Sequence, residues 1–181
     1  DHRDLHLSLR RQRQMCIRDR TLPIHNNDLS SWNWVEALIA SVPIGILVML
    51  IVWINQFQDA PADAAVGKNT WVVRTAVKDG WMRLEKPLSL YKQFMIEAFI
   101  AVGVIGVISF FTDYGTVYAF IALLPIILVW KAFKMADEWM IKWNNPDADR
   151  QKVPYELLLV NVSTIGIHFL TGILLSIAYI L

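Results

Sequence analysis

Four apolar runs, each close to or above the length a helix needs to cross a bilayer, constrain this chain more than any other feature. They cover approximately residues Val35–Ile54, Phe94–Phe111, Gly115–Trp130 and Leu157–Leu181. A hydrocarbon layer about 30 Å thick takes roughly 17–25 helical residues. Inside it every backbone N–H and C=O must find a partner within the protein, and helices do this segment by segment. The reading is therefore all-α: a polytopic transmembrane helical bundle of four helices. The third run is short, but only Thr112-Asp113-Tyr114 separates it from the second, so the two read as a tight helical hairpin. Pro43 and Pro125 fall inside apolar runs, where neighbouring membrane helices tolerate a kink.

The composition, 55% hydrophobic and 18% charged, agrees with a membrane protein and argues against a soluble domain. The formal net charge of +1 hides an uneven distribution, because six of the arginines (Arg3, Arg10, Arg11, Arg13, Arg18, Arg20) lie in residues 1–20, where no lysine occurs. Beyond residue 20 the chain carries 11 basic and 13 acidic residues. The stretch Arg10–Arg20 resembles translated sequencing-adapter read-through, so residues 1–20 are read as non-native and residues 21–181 as the domain. A signal peptide would need an apolar core directly after its basic start, and none follows. A genuine basic arm for nucleic acid or lipid is the alternative for that segment; the remainder suggests no nucleic-acid partner. Cys16, the only cysteine, lies in the same segment, which excludes disulfides, thiol catalysis and cysteine-bound metal for residues 21–181.

Basic residues mark one side of the membrane. The connection from Asn55 to Gln93 holds Lys68, Arg74, Lys78, Arg83, Lys86 and Lys92, and that from Lys131 to Glu156 holds Lys131, Lys134, Lys142, Arg150 and Lys152. Residues 21–34, the Thr112–Tyr114 turn and the C-terminus hold none. By the positive-inside rule both long connections are expected in the cytoplasm, consistent with a bacterial-type inner membrane. Trp53, Trp130 and Trp139 are then expected at the inner interface, and Trp32, Trp34, Tyr114 and Tyr118 at the outer one.

Chemistry concentrates just after the first apolar run, in Asn55-Gln56-Phe57-Gln58-Asp59-Ala60-Pro61-Ala62-Asp63, followed by Gly67-Lys68-Asn69-Thr70 and Arg74. Asp59 and Asp63 are spaced i, i+4, which places both carboxylates on one helical face at the water boundary. Two acids so placed repel unless a cation lies between them. Mg²⁺ fits, because it takes one or two carboxylates and leaves its other positions to water and phosphate oxygens. Lys68 and Arg74 supply positive charge for a diphosphate. The plain alternative is a solvated helix end. Pro61 leaves two local geometries open: one kinked helix carrying Asn55 and both aspartates, or a new helix starting near Pro61.

The pattern N-x-x-x-D-x-x-x-D-x-x-x-G-K-x-T-x-x-V-R, from Asn55 to Arg74, resembles the second aspartate-rich motif of the UbiA superfamily of intramembrane aromatic prenyltransferases. Within it the run is most similar to the branch of 1,4-dihydroxy-2-naphthoate polyprenyltransferases. Trp71 and Thr75-Ala76 depart from that branch's usual residues. The resemblance implies a nine-helix fold whose last four helices correspond to this chain, so that the chain would be the C-terminal part of such an enzyme, without the first aspartate-rich motif. It implies Mg²⁺-dependent transfer of a polyprenyl group from polyprenyl diphosphate to an aromatic acceptor such as dihydroxynaphthoate, in menaquinone-type quinone synthesis. Asp59 and Asp63 would be the catalytic metal ligands, and Asn55, Lys68 and Arg74 the diphosphate-binding residues. A family member with another acceptor, or a non-enzymatic membrane component such as a transporter half, are the rival readings.

Three further features carry weaker expectations. The mixed basic and apolar stretch Lys78–Gln93 is either an interfacial flap or a linker on anionic headgroups. Asp137, Glu138, Asp147 and Asp149 read as a solvated loop neutralised by nearby lysines. Glu97 is expected to snorkel to the interface, and mid-helix His168 to hydrogen-bond a helix neighbour.

Overall fold

The structure is a computed structural model and describes residues 32–78, 81–112, 114–149 and 152–181. Residues 1–20, read above as non-native, lie outside them. The packing described below belongs to the unit Glu36–Leu181.

The chain is an all-α polytopic bundle with four membrane-length helical segments, Val35–Ala65, Glu85–Ile108, Val117–Trp143 and Val153–Ile180. In detail, α1 is Trp32–Ala65, α2 the short helix Trp71–Ala76, α3 Glu85–Ile108, α4 Ile126–Trp143 and α5 Leu158–Ile180. Short 3₁₀ helices, Val117–Leu123 and Val153–Leu157, lead into α4 and α5. Two-residue strands β1 (Val77–Lys78) and β2 (Trp81–Met82) form an antiparallel pair between α2 and α3.

These segments run further into the polar sequence than the apolar runs do. Backbone hydrogen bonding does not stop where side chains become charged; it stops where a cap or a positive φ stops it. α1 continues past Asp59 and Pro61 until Gly67, at φ 73°. There the Lys68 amide donates to the Asp63 carbonyl at 2.8 Å and the Gly67 amide to the Ala64 carbonyl at 3.2 Å. This is a Schellman closure, which needs the left-handed residue that glycine supplies. Likewise α4 carries Lys131, Lys134 and Lys142, so much of the supposed second loop is helix.

The core is a set of facing stripes at helical spacing: Leu47, Leu50, Ile54 and Phe57 on α1, Tyr91, Met95 and Ala98 on α3, Ala132 and Ala136 on α4, and Val160 and Ile167 on α5. Small residues on α4 let helices approach closely, as membrane bundles favour. The outward faces are apolar too, with Ile96, Ile100 and Val104 of α3 and Val162, Ile165 and Phe169 of α5 exposed. Soluble proteins rarely expose patches of that extent, and a lipid surround accounts for them.

One end of the bundle is made rigid by indoles. Trp53 is only 5% exposed, and its Nε1 donates to the Pro87 carbonyl at 3.2 Å. Trp139 is 3% exposed, and its Nε1 donates to the Val153 carbonyl at 2.7 Å. The expectation that these two rings mark a lipid interface is therefore corrected: both fasten connecting backbone to the core. Trp130, at 75% exposed, remains outside. At the opposite end Gly115, φ 77°, turns the hairpin, and the Thr116 hydroxyl donates to the Ala178 carbonyl at 3.1 Å.

Candidate functional site

The unbroken course of α1 settles the geometry that Pro61 left open: Asn55, Asp59 and Asp63 stand on one continuous helix. The two polar residues preceding the carboxylates are both tied to other elements. Asn55 Oδ1 accepts a hydrogen bond from Asn161 Nδ2 of α5. Gln56 Oε1 accepts from the Val72 amide at 3.2 Å, at the start of α2, where the Thr70 hydroxyl accepts from Val73 at 3.4 Å. Gln56 and Thr70 thus satisfy two of the amides that a helix N-terminus leaves open. On the surface of α1, Asp59 lies one turn beyond Asn55, between the direction facing α5 and the direction facing α2.

The carboxylates differ in their surroundings. Asp63 is buried, at 8% exposed, and its Oδ1 accepts from Lys68 Nζ at 3.0 Å. The Gly67-Lys68 pair therefore closes the helix and returns a counter-charge to it. Asp59 is exposed and has no ion pair or hydrogen bond among the described residues. Arg74, on the exposed side of α2, likewise has no charged partner among them. Asn55 Oδ1 and Asp63 Oδ1 are thus engaged within the protein, while Asp59 and Arg74 have no such partner among the described residues.

No group of three or more His, Cys, Asp or Glu side chains that could hold a metal occurs among the described residues. The donors a Mg²⁺ ion would find here are the Asp59 carboxylate and the Asp63 oxygen not held by Lys68. Two carboxylates suit a hard ion whose remaining positions go to water or phosphate, so these residues would fit such an ion.

The second acidic group behaves as a neutralised surface. Asp137 pairs with Lys92, Glu138 with Lys134 at 4.0 Å, and Asp149 with Lys152 at 3.5 Å. Glu97 accepts from Gln93 at 2.8 Å. His168 departs from expectation, because its Nδ1 is buried without a hydrogen-bond partner among the described residues. Sequence reasoning gave no role to Asn161 or Gln56; the signal available was a polar residue inside or next to an apolar run.

Comparison with protein-family models, with curated proteins and with solved structures returned no match.

Proposed function

We propose that the chain carries a metal–diphosphate site for Mg²⁺-dependent transfer of a polyprenyl group to an aromatic acceptor, of dihydroxynaphthoate type, in quinone synthesis. The observation that carries this reading is the unpaired Asp59, one helical turn before the Asp63–Lys68 pair, where α1 leaves its apolar segment. An exposed acid without a counter-charge of its own is open to a cation, and a diphosphate needs both a cation and fixed positive groups.

Asp59 and Asp63 would hold the ion. When bound, Mg²⁺ supplies Lewis-acid neutralisation of the charge that develops on the departing diphosphate. Arg74, unpaired on α2, would bind the diphosphate as a fork-shaped donor. Lys68 orients the Asp63 carboxylate through their ion pair and would share its remaining N–H donors with phosphate oxygens. Asn55, held by Asn161, stiffens the base of the site. Exclusion of water from a cationic prenyl group would favour attack by an aromatic ring over hydrolysis.

The test is calorimetric titration of farnesyl diphosphate into the chain in lipid nanodiscs. Binding is expected with Mg²⁺ and lost with EDTA, and Asp59→Asn should weaken it by about 1–3 kcal/mol. Equal affinity in wild type and Asp59→Asn, with and without Mg²⁺, refutes the proposal.

A further inference from the structure

On the flank formed by α3 and α4, an open groove of about 230 Å³ runs between Met95, Ile96, Phe99 and Ile100 of α3 and Ile126 and Val129 of α4. Its walls are apolar, and on α4 they continue into a polar stripe. Ile126, Trp130 and Lys134 are spaced i, i+4, i+8, so they lie one above another on one helical face. All three are open to the surroundings: Ile126 is 54% exposed, Trp130 75% and the Lys134 side chain 74%. Lys131, also exposed, stands beside Lys134 at i, i+3. Groove, indole and ammonium groups thus follow in order along about 12 Å of α4.

The neighbouring cations are engaged within the protein. Lys92 pairs with Asp137 and lies 5.7 Å from the centroid of the Phe133 ring, and Lys142 pairs with Glu156 at 2.6 Å. Lys134 has only Glu138, at 4.0 Å and with both side chains mostly exposed, a geometry in which an ion pair contributes little. Lys131 has no carboxylate partner among the described residues. One end of the groove therefore carries two ammonium groups available to an anion, beside an indole suited to the boundary between apolar and wet surroundings.

We infer that this flank binds an anionic phospholipid, with its phosphate on Lys131 and Lys134, its ester region against Trp130 and an acyl chain in the α3–α4 groove. The surroundings narrow the choice of anion. Ile96, Ile100 and Ile127 are exposed and apolar, so the anion has to arrive with hydrocarbon attached; a free phosphate or an acidic peptide would leave the groove unfilled. Lysine suits the task, because its flexible stem lies along apolar surface while its compact charge reaches the headgroup. A zwitterionic lipid fills the groove equally well, but its own cation offsets the attraction of its phosphate to the lysines. Anionic headgroups gain from each basic residue at the membrane surface. This surface is separate from the Asp59 face, and binding here does not depend on the function proposed above.

The test is native mass spectrometry of the chain released from micelles and titrated with phosphatidylglycerol or phosphatidylcholine of the same acyl chains. Phosphatidylglycerol should bind roughly tenfold more tightly. The double variant Lys131→Gln, Lys134→Gln should bring phosphatidylglycerol down to the phosphatidylcholine level. It should leave phosphatidylcholine unchanged, which shows that the groove is intact. Lys142→Gln removes a lysine that is already paired and should leave the preference in place. A phosphatidylglycerol with a diazirine near the ester end of one acyl chain should, on irradiation, label residues 95–100 or 126–130. Equal affinity for the two lipids overturns the inference, as does a preference that survives the double variant. Equal weakening of both lipids by the double variant, or loss of the preference in Lys142→Gln, also overturns it, because the lysines of this stripe would then not be reading the headgroup. Label confined to other segments has the same consequence.

Discussion

Gly67 and Gly115 both have positive φ, 73° and 77°, but a methyl group added at each meets different surroundings. At Gly67 nothing lies within 4 Å of the added carbon, so Gly67→Ala adds only the cost of a left-handed residue. That cost is about 1–2 kcal/mol. At Gly115 the added carbon would sit 2.6 Å from the Ile105 carbonyl oxygen, which is backbone and cannot swing aside. Gly115→Ala adds the same conformational cost plus an overlap of about 1–3 kcal/mol. Gly→Ala also restricts the unfolded chain by about 0.4–1 kcal/mol; this term is common to both variants and cancels in their difference. Gly115→Ala should therefore be the less stable by about 1–3 kcal/mol. The assay is equilibrium unfolding by SDS in mixed micelles, followed by tryptophan fluorescence. Gly67→Asn is the control, because asparagine tolerates the left-handed region and should recover part of the loss. If Gly67→Ala proves as destabilising as Gly115→Ala, the separation into backbone and steric parts is wrong. The Schellman closure would then be doing something that its geometry does not reveal.

Other outcomes follow from the site. Lys68→Met leaves the buried Asp63 carboxylate without its partner, at a cost of about 1–2 kcal/mol. Millimolar Mg²⁺ should recover most of it in the same unfolding assay, and a loss insensitive to Mg²⁺ would remove Asp63 from the metal site. The Asn55–Asn161 bond joins positions 106 residues apart. A double-mutant cycle with Asn55→Ala and Asn161→Ala should return a coupling of about 0.6–1.7 kcal/mol; strictly additive losses would mean the contact does not form in lipid. Tyr91, fully buried, shares a hydrogen bond with Thr164 at 2.7 Å across α3 and α5. Tyr91→Phe should cost about 0.5–1.5 kcal/mol in wild type and little in a Thr164→Val background.

The four spans were legible because apolar length is a local property, and so was the helical i, i+4 placement of Asp59 and Asp63. Helix ends were not, because capping overrides composition. Gly67 rather than the first charged residue stops α1, and α4 carries its lysines to Trp143. The roles of Trp53 and Trp139 were misread for a different reason. An indole next to a charged connection resembles an interfacial anchor, and only tertiary structure reveals that its N–H meets the Pro87 or Val153 carbonyl. Asn161 escaped notice because its partner Asn55 is distant in sequence. The Asp63–Lys68 pair escaped notice because spacing alone does not show that the chain folds back to bring Lys68 to Asp63.

The unbroken passage of α1 through Pro61 makes the helix a ruler. Asp59 and Asp63 lie beyond Ile54, the last residue of the apolar run, by about 7.5 Å and about 13.5 Å along the helix at 1.5 Å of rise per residue. The headgroup zone on one side of a bilayer is roughly 5–8 Å deep. Measured along the helix from Ile54, Asp59 falls within that depth and Asp63 beyond it. An amphiphile could present its phosphates at that height without withdrawing its tail from the bilayer. One residue inserted between Ile54 and Asp59 would lift both acids by about 1.5 Å. It would also swing them roughly 100° around the helix, away from the gap between α2 and α5.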